Sequence, residues 1–550
     1  MCLTVYMVMD FLTKKKGRLL LLVVSGVLTG FSVAFPRYIG FLEWVSLVPA
    51  ALFLLTMRDG ERATKRAAYR AGLVFWMSYY VVIYHWFWYM YPLDFAGISR
   101  AGGLAVVLVA WLGLSFLQAI GGAVIFPVFL ALDRRRIFGE AVAPRVITLA
   151  ALFCVSEFSQ TLFWFGVPFA RLCIGQSYYL PIIQSASLFG CYFITFLLLA
   201  VNALIALAAG VLLSHEPRRR AVLLSSVGIG VIAVNLIFGC IRMAVPTEGE
   251  TIRVAAIQAN ISSTVKWDMS LEETYQRYEK LTREAAADGA EVIIWPETAI
   301  PTEVSTDASY GVRVANLAKE LGVTLLYGCM TRDSEDRLYN TILAINPDGS
   351  YTEERYNKRR LVPFGEYVPM RNIITALIPP LANISMLEDD MTPGDGPNII
   401  NTEVAGAVGS LICFDSIYDA LALASANAGA DWIALPTNDS WFSDSAAIYM
   451  HYAQAKLRAV ETGRYIVRAG NTGISGIITD RGADITTLAP LREGYVVGEI
   501  VPTESRTLYS YIGNIFVLLC LAFPLSELAL SIIGNFGEKK DGNGGNKNDT

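Results

Sequence analysis

The chain has 550 residues, of which 54% are hydrophobic and only 17% charged, and its mean hydropathy is +0.44. A soluble domain carries roughly 25% charged residues, which excludes a chain immersed in water throughout. A formal net charge of -5, with no basic face, excludes a nucleic-acid binder.

Stretches of roughly 20 apolar residues read as membrane helices, because charge inside a bilayer is costly. The sequence predicts about eight spans, near residues 19–35, 39–57, 71–92, 103–131, 147–165, 180–212, 221–243 and 509–533. Leu19–Pro36, behind Lys14, Lys15, Lys16 and Arg18, also has the form of a signal peptide. No small-x-small site followed by a polar start appears there, so it is read as a helix. Basic residues collect before the first span and in alternate connections: Arg58, Arg62, Lys65, Arg66 and Arg70, then Arg134, Arg135, Arg136 and Arg145, then Arg218, Arg219 and Arg220, and finally Lys539 and Lys540. By the positive-inside rule, both termini are expected to be cytoplasmic and residues 245–506 to lie outside. The expected organisation is a helical membrane segment over 1–244, an outer domain over 245–506, a last helix over 507–536 and a disordered tail over 537–550.

Between Thr251 and Arg506 the composition is that of a globular domain, and short β-branched runs alternate with amphipathic ones, the pattern of an α/β fold. Ile252–Gln258, Glu291–Trp295, Val323–Tyr327, Val408–Cys413, Trp432–Leu435, Tyr465–Ala469 and Ser475–Thr479 are predicted strands. Helices are predicted over Glu272–Asp288 and Val312–Leu321. Tyr339–Ile345 and Tyr351–Tyr356 flank Asn346-Pro347-Asp348-Gly349, a hairpin signal. Eight cysteines support no disulfide framework; the outer domain holds Cys329 and Cys413, which either pair or leave a thiol with a function.

Three polar residues are predicted at the ends of apolar strands, where α/β domains place their sites. They are Glu297 after Trp295-Pro296, Lys358 after Tyr356-Asn357, and Cys413 after Leu411-Ile412. Taken singly, each has a plain alternative: a helix cap, a solvated basic run with Arg355, Arg359 and Arg360, and a small core residue. Of three histidines, His85 and His215 belong to the membrane segment, so a multi-histidine zinc site is excluded. A Cys–His pair of Cys413 with His451 stays open.

As a set, Glu297, Lys358 and Cys413 resemble the Glu-Lys-Cys triad of the carbon–nitrogen hydrolase (nitrilase) superfamily. Trp295-Pro296-Glu297, Tyr339-Asn340-Thr341, Tyr356-Asn357-Lys358, the run Leu361 to Pro369 and Asn438-Asp439-Ser440-Trp441-Phe442 follow in that superfamily's order. Lys266-Trp267, Leu361-Val362-Pro363-Phe364-Gly365-Glu366 and Thr507-Leu508-Tyr509 before the last apolar run resemble the apolipoprotein N-acyltransferase family more narrowly. The resemblance implies a membrane helical bundle joined to a nitrilase-like α-β-β-α sandwich, with no cofactor and no metal. It implies that phospholipid acylates Cys413 and that the α-amino group of a diacylglyceryl-modified apolipoprotein takes the acyl chain. Glu297 would be the general base; Lys358 would stabilise the oxyanion and lower the thiol pKa. Glu366 is implied as a second carboxylate near the triad, Asp415 as a residue that helps position substrate, Asn438 as a substrate-binding or supporting residue, and Trp267 and Trp441 as pocket walls, with core packing an equal reading for both tryptophans. Leu361–Met391 reads either as a lid on the bilayer or as a buried loop. The sequence departs from the family at Phe414 and Asp415, where Tyr and Glu are usual, at Ser443 for Gly, and at Lys456 for Arg. Two rival readings remain: a membrane-tethered amidase with the same triad, and a non-enzymatic membrane scaffold.

Overall fold

A computed structural model of the chain describes residues 15–57, 64–93, 98–135, 137–162, 166–214, 216–262, 266, 269–304, 308–377 and 390–541. Among these, 7 helices are long and apolar enough to cross a membrane: Lys16–Ala34, Pro36–Met57, Arg100–Asp133, Val142–Ser159, Cys191–Leu213, Arg218–Ala244 and Ile515–Ile533. The expected span near 71–92 is a helix over Lys65–Ile83 followed by a 3-10 turn over Tyr84–Met90. Lys65, Arg66, Arg70 and three tyrosines leave it less apolar than the others. With Lys15–Ala34 as α1 and Lys65–Ile83 as α2, α2 packs between α1 and α3 (Arg100–Ala123). Small residues allow that approach: a Cβ on Gly30 would stand 2.9 Å from the Tyr79 carbonyl oxygen.

The span expected over 180–212 is not one helix. Short helices over Leu180–Ile183 and Ala186–Phe189 precede α4 (Cys191–Leu213), and Gly190 turns the chain between them at φ +77°. The last helix reaches Asp541, into the stretch expected to be disordered; residues 542–550 lie outside the described ones.

The remainder is a sandwich of two six-stranded sheets, ordered β12-β1-β2-β3-β4-β5 and β11-β10-β9-β8-β7-β6. In the first, β1 (Ile252–Gln258) runs parallel to β2 (Val292–Ile294), and β2 to β3 (Thr324–Arg332). The predicted hairpin is present as β4 (Leu338–Ile345) against β5 (Tyr356–Asn357). In the second, β7 (Gly406–Ser410), β8 (Trp432–Thr437) and β9 (Ile466–Gly470) are parallel, with β6 (Ile400–Thr402) antiparallel at one edge. Antiparallel β10 (Ser475–Ile478) and β11 (Asp484–Leu488) close the other side, and β12 (Gly494–Ile500) returns to pair with β1.

Val254, Ile294, Val408, Trp432 and Val467 form the core between the sheets. The outer face of the first sheet packs on α5 (Leu271–Ala287) and α6 (Ser309–Leu321) through Tyr278, Trp295, Val314 and Leu317. The outer face of the second packs on α7 (Asp419–Asn427) and α8 (Ala446–Thr462), whose apolar side chains join the core of the membrane helices. The two parts therefore share one interior. Arg171, between membrane helices, donates to Asp419 at 2.8 Å and to the Ile417 carbonyl at 2.6 Å, while Trp86 packs on Phe442 at 4.9 Å.

Candidate active site

The two sheets deliver the three expected residues from opposite sides. Glu297 follows β2, after Trp295 has buried its indole and donated Nε1 to Thr282 at 2.8 Å. Lys358 follows β5, and its amide nitrogen donates to the Asn340 carbonyl on β4 at 2.8 Å. Cys413 comes from the second sheet. It does not end a strand as predicted: β7 stops at Ser410, and Cys413 opens a 3-10 turn over Cys413–Ile417 at φ +50°. That left-handed backbone is uncommon for any residue but glycine, and it turns the side chain towards the first sheet.

Lys358, 1% exposed, donates to Glu297 Oε1 at 2.8 Å and to Glu366 Oε1 at 2.9 Å. Asn340 Nδ2 spans the same two oxygens at 2.8 and 2.9 Å. The second oxygen of Glu297 accepts from the amide N–H of Asn438 at 3.0 Å, and that of Glu366 from the amide of Val362 at 2.8 Å. The Cys413 thiol stands close enough to Glu297 and Lys358 for both to act on its ionisation. The expected triad is therefore brought together, with Glu366 beside it.

Electrostatics sets the resting protonation. Burial opposes ionisation of Glu297, but Lys358 outweighs it and holds the carboxyl below its usual range. Burial likewise opposes the Lys358 charge, and Glu297 and Glu366 outweigh it, raising its pKa well above normal. The Cys413 thiol goes the other way from the sequence expectation. Burial first, then Glu297, push it well up, and the pull of Lys358 does not compensate. With burial and the charges of Glu297 and Asp439 outweighing Lys358, the sulfur rests as a neutral thiol beside Glu297.

The supporting residues divide. Asp415 is fully buried, with its oxygens accepting from Tyr356 Oη at 2.9 Å, the Ile412 amide at 3.1 Å and the Arg360 amide at 2.7 Å. It ties the cysteine turn to the lysine loop. Asn438 touches Glu297 through its backbone, while its side-chain oxygen accepts from Ser440 Oγ at 2.8 Å and Asn471 Nδ2 at 3.1 Å. Trp441 is half-buried in the turn Ser440–Phe442. Ser443, where the resemblance leads to an expectation of glycine, sits at φ +47°, a backbone region that suits glycine. Trp267 lies outside the described residues, as do 378–389 of the Leu361–Met391 segment; in its described part Met370 and Ile373 are exposed.

Asn340 and Lys266 both stand in motifs to which the sequence assigns no role; the buried Lys266 ammonium donates to Thr298 Oγ1 at 2.6 Å beside Glu297. Cys413 pairs with neither of its expected rivals. Cys329 is a free thiol in the outer core of the first sheet. His451 meets the Cys413 carbonyl oxygen at 3.1 Å. Cys413, Asp439 and His451 hold potential ligand atoms within 4.8 Å of one another. However, Asp439 is already shared by His451 and Arg468 at 2.8 and 2.7 Å, so a cation there would face a guanidinium.

Residues 253–508 match the carbon-nitrogen hydrolase family, and residues 25–204 match the apolipoprotein N-acyltransferase N-terminal domain. Among solved structures, the chain is similar to Nit3 of Saccharomyces cerevisiae, a nitrilase-superfamily member, at TM-score 0.37 and 21% identity over 48% of this chain and 93% of that one. It is 32% identical to an apolipoprotein N-acyltransferase of Geobacter metallireducens over 95% of this chain and 96% of that one. It is 30% identical to one of Gloeobacter violaceus over 89% of each. With such identity along nearly the full length of both partners, the chain belongs to the apolipoprotein N-acyltransferase family.

Proposed function

We propose that this protein transfers a fatty acyl chain from phospholipid, through a thioester on Cys413, to the α-amino group of the diacylglyceryl-modified N-terminal cysteine of apolipoproteins. The observation that carries this reading is the Lys358 ammonium, held by Glu297 and Glu366 next to the Cys413 thiol. In the first step Glu297 takes the thiol proton as the sulfur adds to the ester carbonyl. Lys358 donates a hydrogen bond to the resulting oxyanion. Collapse breaks the ester C–O bond, and the proton returns from Glu297 to the lysophospholipid. In the second step the amine adds to the thioester, Glu297 accepts its proton, and the C–S bond breaks to restore the thiol. A resting thiol suits this cycle because sulfur ionises only when a substrate carbonyl is present to receive it.

The same proposal sets the chain in the cytoplasmic membrane of a bacterium with both termini cytoplasmic, residues 1–244 and 507–536 as its membrane parts, and 245–506 on the outer side. Support comes from charge placement. Trp86 and Arg171 reach the sandwich from connections at one end of the bundle, which puts Arg134, Arg135 and Arg218–Arg220 at the opposite end.

The test is intact-protein mass spectrometry after incubating purified protein with phospholipid vesicles. An acyl adduct should appear on Cys413, be absent in Cys413→Ala, and disappear when a diacylated lipopeptide is added and becomes N-acylated. Ammonia release from small amides without N-acylated peptide would replace this reading with the amidase one.

A further inference from the structure

The acyl-transfer cycle leaves a buried polar network behind the nucleophile without a task. His451, 2% exposed on α8, has Nδ1 at 2.8 Å from Asp439 Oδ1. Asp439 in turn accepts from Arg468 Nη2 at 2.7 Å. Burial opposes ionisation of Asp439, but Arg468 and His451 outweigh it and hold the carboxyl well below its usual range. Asp439 is thus a fixed acceptor for Nδ1–H, and a ring carrying a proton on each nitrogen also presents Nε2–H to the cysteine turn.

The other face of the ring meets the cysteine turn. His451 Nε2 lies 3.1 Å from the Cys413 carbonyl oxygen and 3.0 Å from Ser416 Oγ, whose hydroxyl donates to that same carbonyl at 2.8 Å. The peptide group after Cys413 is therefore gripped from two directions. A left-handed conformation at a residue bearing a side chain is strained and persists only where its surroundings impose it. The contacts on the Cys413 carbonyl are such an imposition.

We propose that His451, oriented by Asp439, is a positioning residue for acyl transfer: by holding the Cys413 carbonyl it fixes the left-handed turn that points the thiol at Glu297 and Lys358. The proposal rests on Cys413 being the nucleophile. A misplacement of about 1 Å at a reacting atom can cost about a hundredfold in rate, so loosening this carbonyl should show in turnover more than in substrate binding.

Two substitutions separate positioning from filling of space. In His451→Gln the amide reaches as far as Nε2 and keeps a donor on the Cys413 carbonyl. In His451→Asn the amide stays near Nδ1, keeps Asp439 company and lets the carbonyl go. Each variant is purified as the full chain and given phospholipid vesicles with a diacylated lipopeptide as acceptor, and kcat, KM and, separately, the pH profile of Cys413 alkylation by iodoacetamide are measured. The expected result is that Asn lowers kcat by about a hundredfold, leaves KM for phospholipid unchanged and displaces the alkylation profile, while Gln recovers most of the rate. Equal activities for Gln and Asn, or an alkylation profile that neither variant moves, would overturn the proposal. If wild-type protein forms no acyl adduct on Cys413, the nucleophile assignment itself has failed. If wild type and Asn form it equally fast, only the role of His451 has.

Discussion

The sandwich wraps each of its sheets in helices, yet the two wrappings meet different solvents. α5, over the first sheet, buries six of its 17 residues and leaves the rest half-buried or exposed to water. Its surface carries ion pairs of long, exposed side chains, such as Arg283 with Glu279 and Glu320 at 2.8 and 2.7 Å. α8, over the second sheet, has the same 17 residues and buries 16 of them, because its far side lies against membrane helices. Its charges are taken inside: Arg458 pairs with Glu461, and Lys456 with Asp484, at 2.7 and 2.6 Å. Cys413, the contacts on its carbonyl and Asp419, which Arg171 anchors, all belong to this second layer. The chemistry thus sits on the half of the domain that the membrane segment completes, and the first layer supplies Glu297 and Lys358 from a scaffold that would look at home in a soluble enzyme.

The sharpest way to break this comparison is Arg171→Ala. It strands Asp419 without its cation and leaves the Ile417 carbonyl unpaired, both within six residues of Cys413. Removing one partner of a buried pair costs about 3–5 kcal/mol. Thermal unfolding in detergent should drop accordingly, and the acyl adduct on Cys413 should be lost. A change no larger than that of a surface pair would mean that bundle and sandwich are merely tethered.

What the sequence disclosed follows from the same contrast. β1 and α5 were legible nearly to the residue, since alternation against water leaves a periodic trace. Glu297, Lys358 and Cys413 were legible because each stands where an apolar run breaks, and the motifs around them resemble a family. The break of the 180–212 run at Gly190 was not, because hydropathy measures transfer out of water and reads protein interior and lipid alike. Nor was α8: His451, Gln454, Lys456 and Arg458 look solvent-facing until partners from distant segments, among them Asp439, Arg171 and Asp484, are in place. β6, β11 and β12, short or half-exposed, carried too weak an alternation. Asn340 and the true place of Asp415 depend on which oxygens two sheets bring together, and no local pattern encodes that.

A second prediction concerns pH. Burial pushes Asp415 up to about 6 from an ordinary 3.8, more than Lys358 and the surrounding amides pull it down. Between those values the folded chain holds a proton that the unfolded chain releases, so stability falls as pH rises through the window, by about 1.4 kcal/mol per unit. Above and below the window this contribution is level. Asp415→Asn removes the titration, and its unfolding temperature should be flatter from about pH 4 to pH 6 than that of wild type. An equal slope in both would show that Asp415 ionises in the folded turn as freely as in water.

The smallest effect is expected on the first layer. Arg283→Ala deletes two ion pairs that are as short as the buried ones, and distance alone would rank it beside Arg171→Ala. Solvent decides otherwise. In water the pair gains little over its hydrated parts, salt screens what remains, and freeing the long side chains returns entropy. Arg283→Ala should therefore leave both the unfolding temperature and the rate of Cys413 acylation indistinguishable from wild type. If it slowed acylation while Arg171→Ala did not, the first layer, and not the membrane-backed one, would be what holds the nucleophile in place.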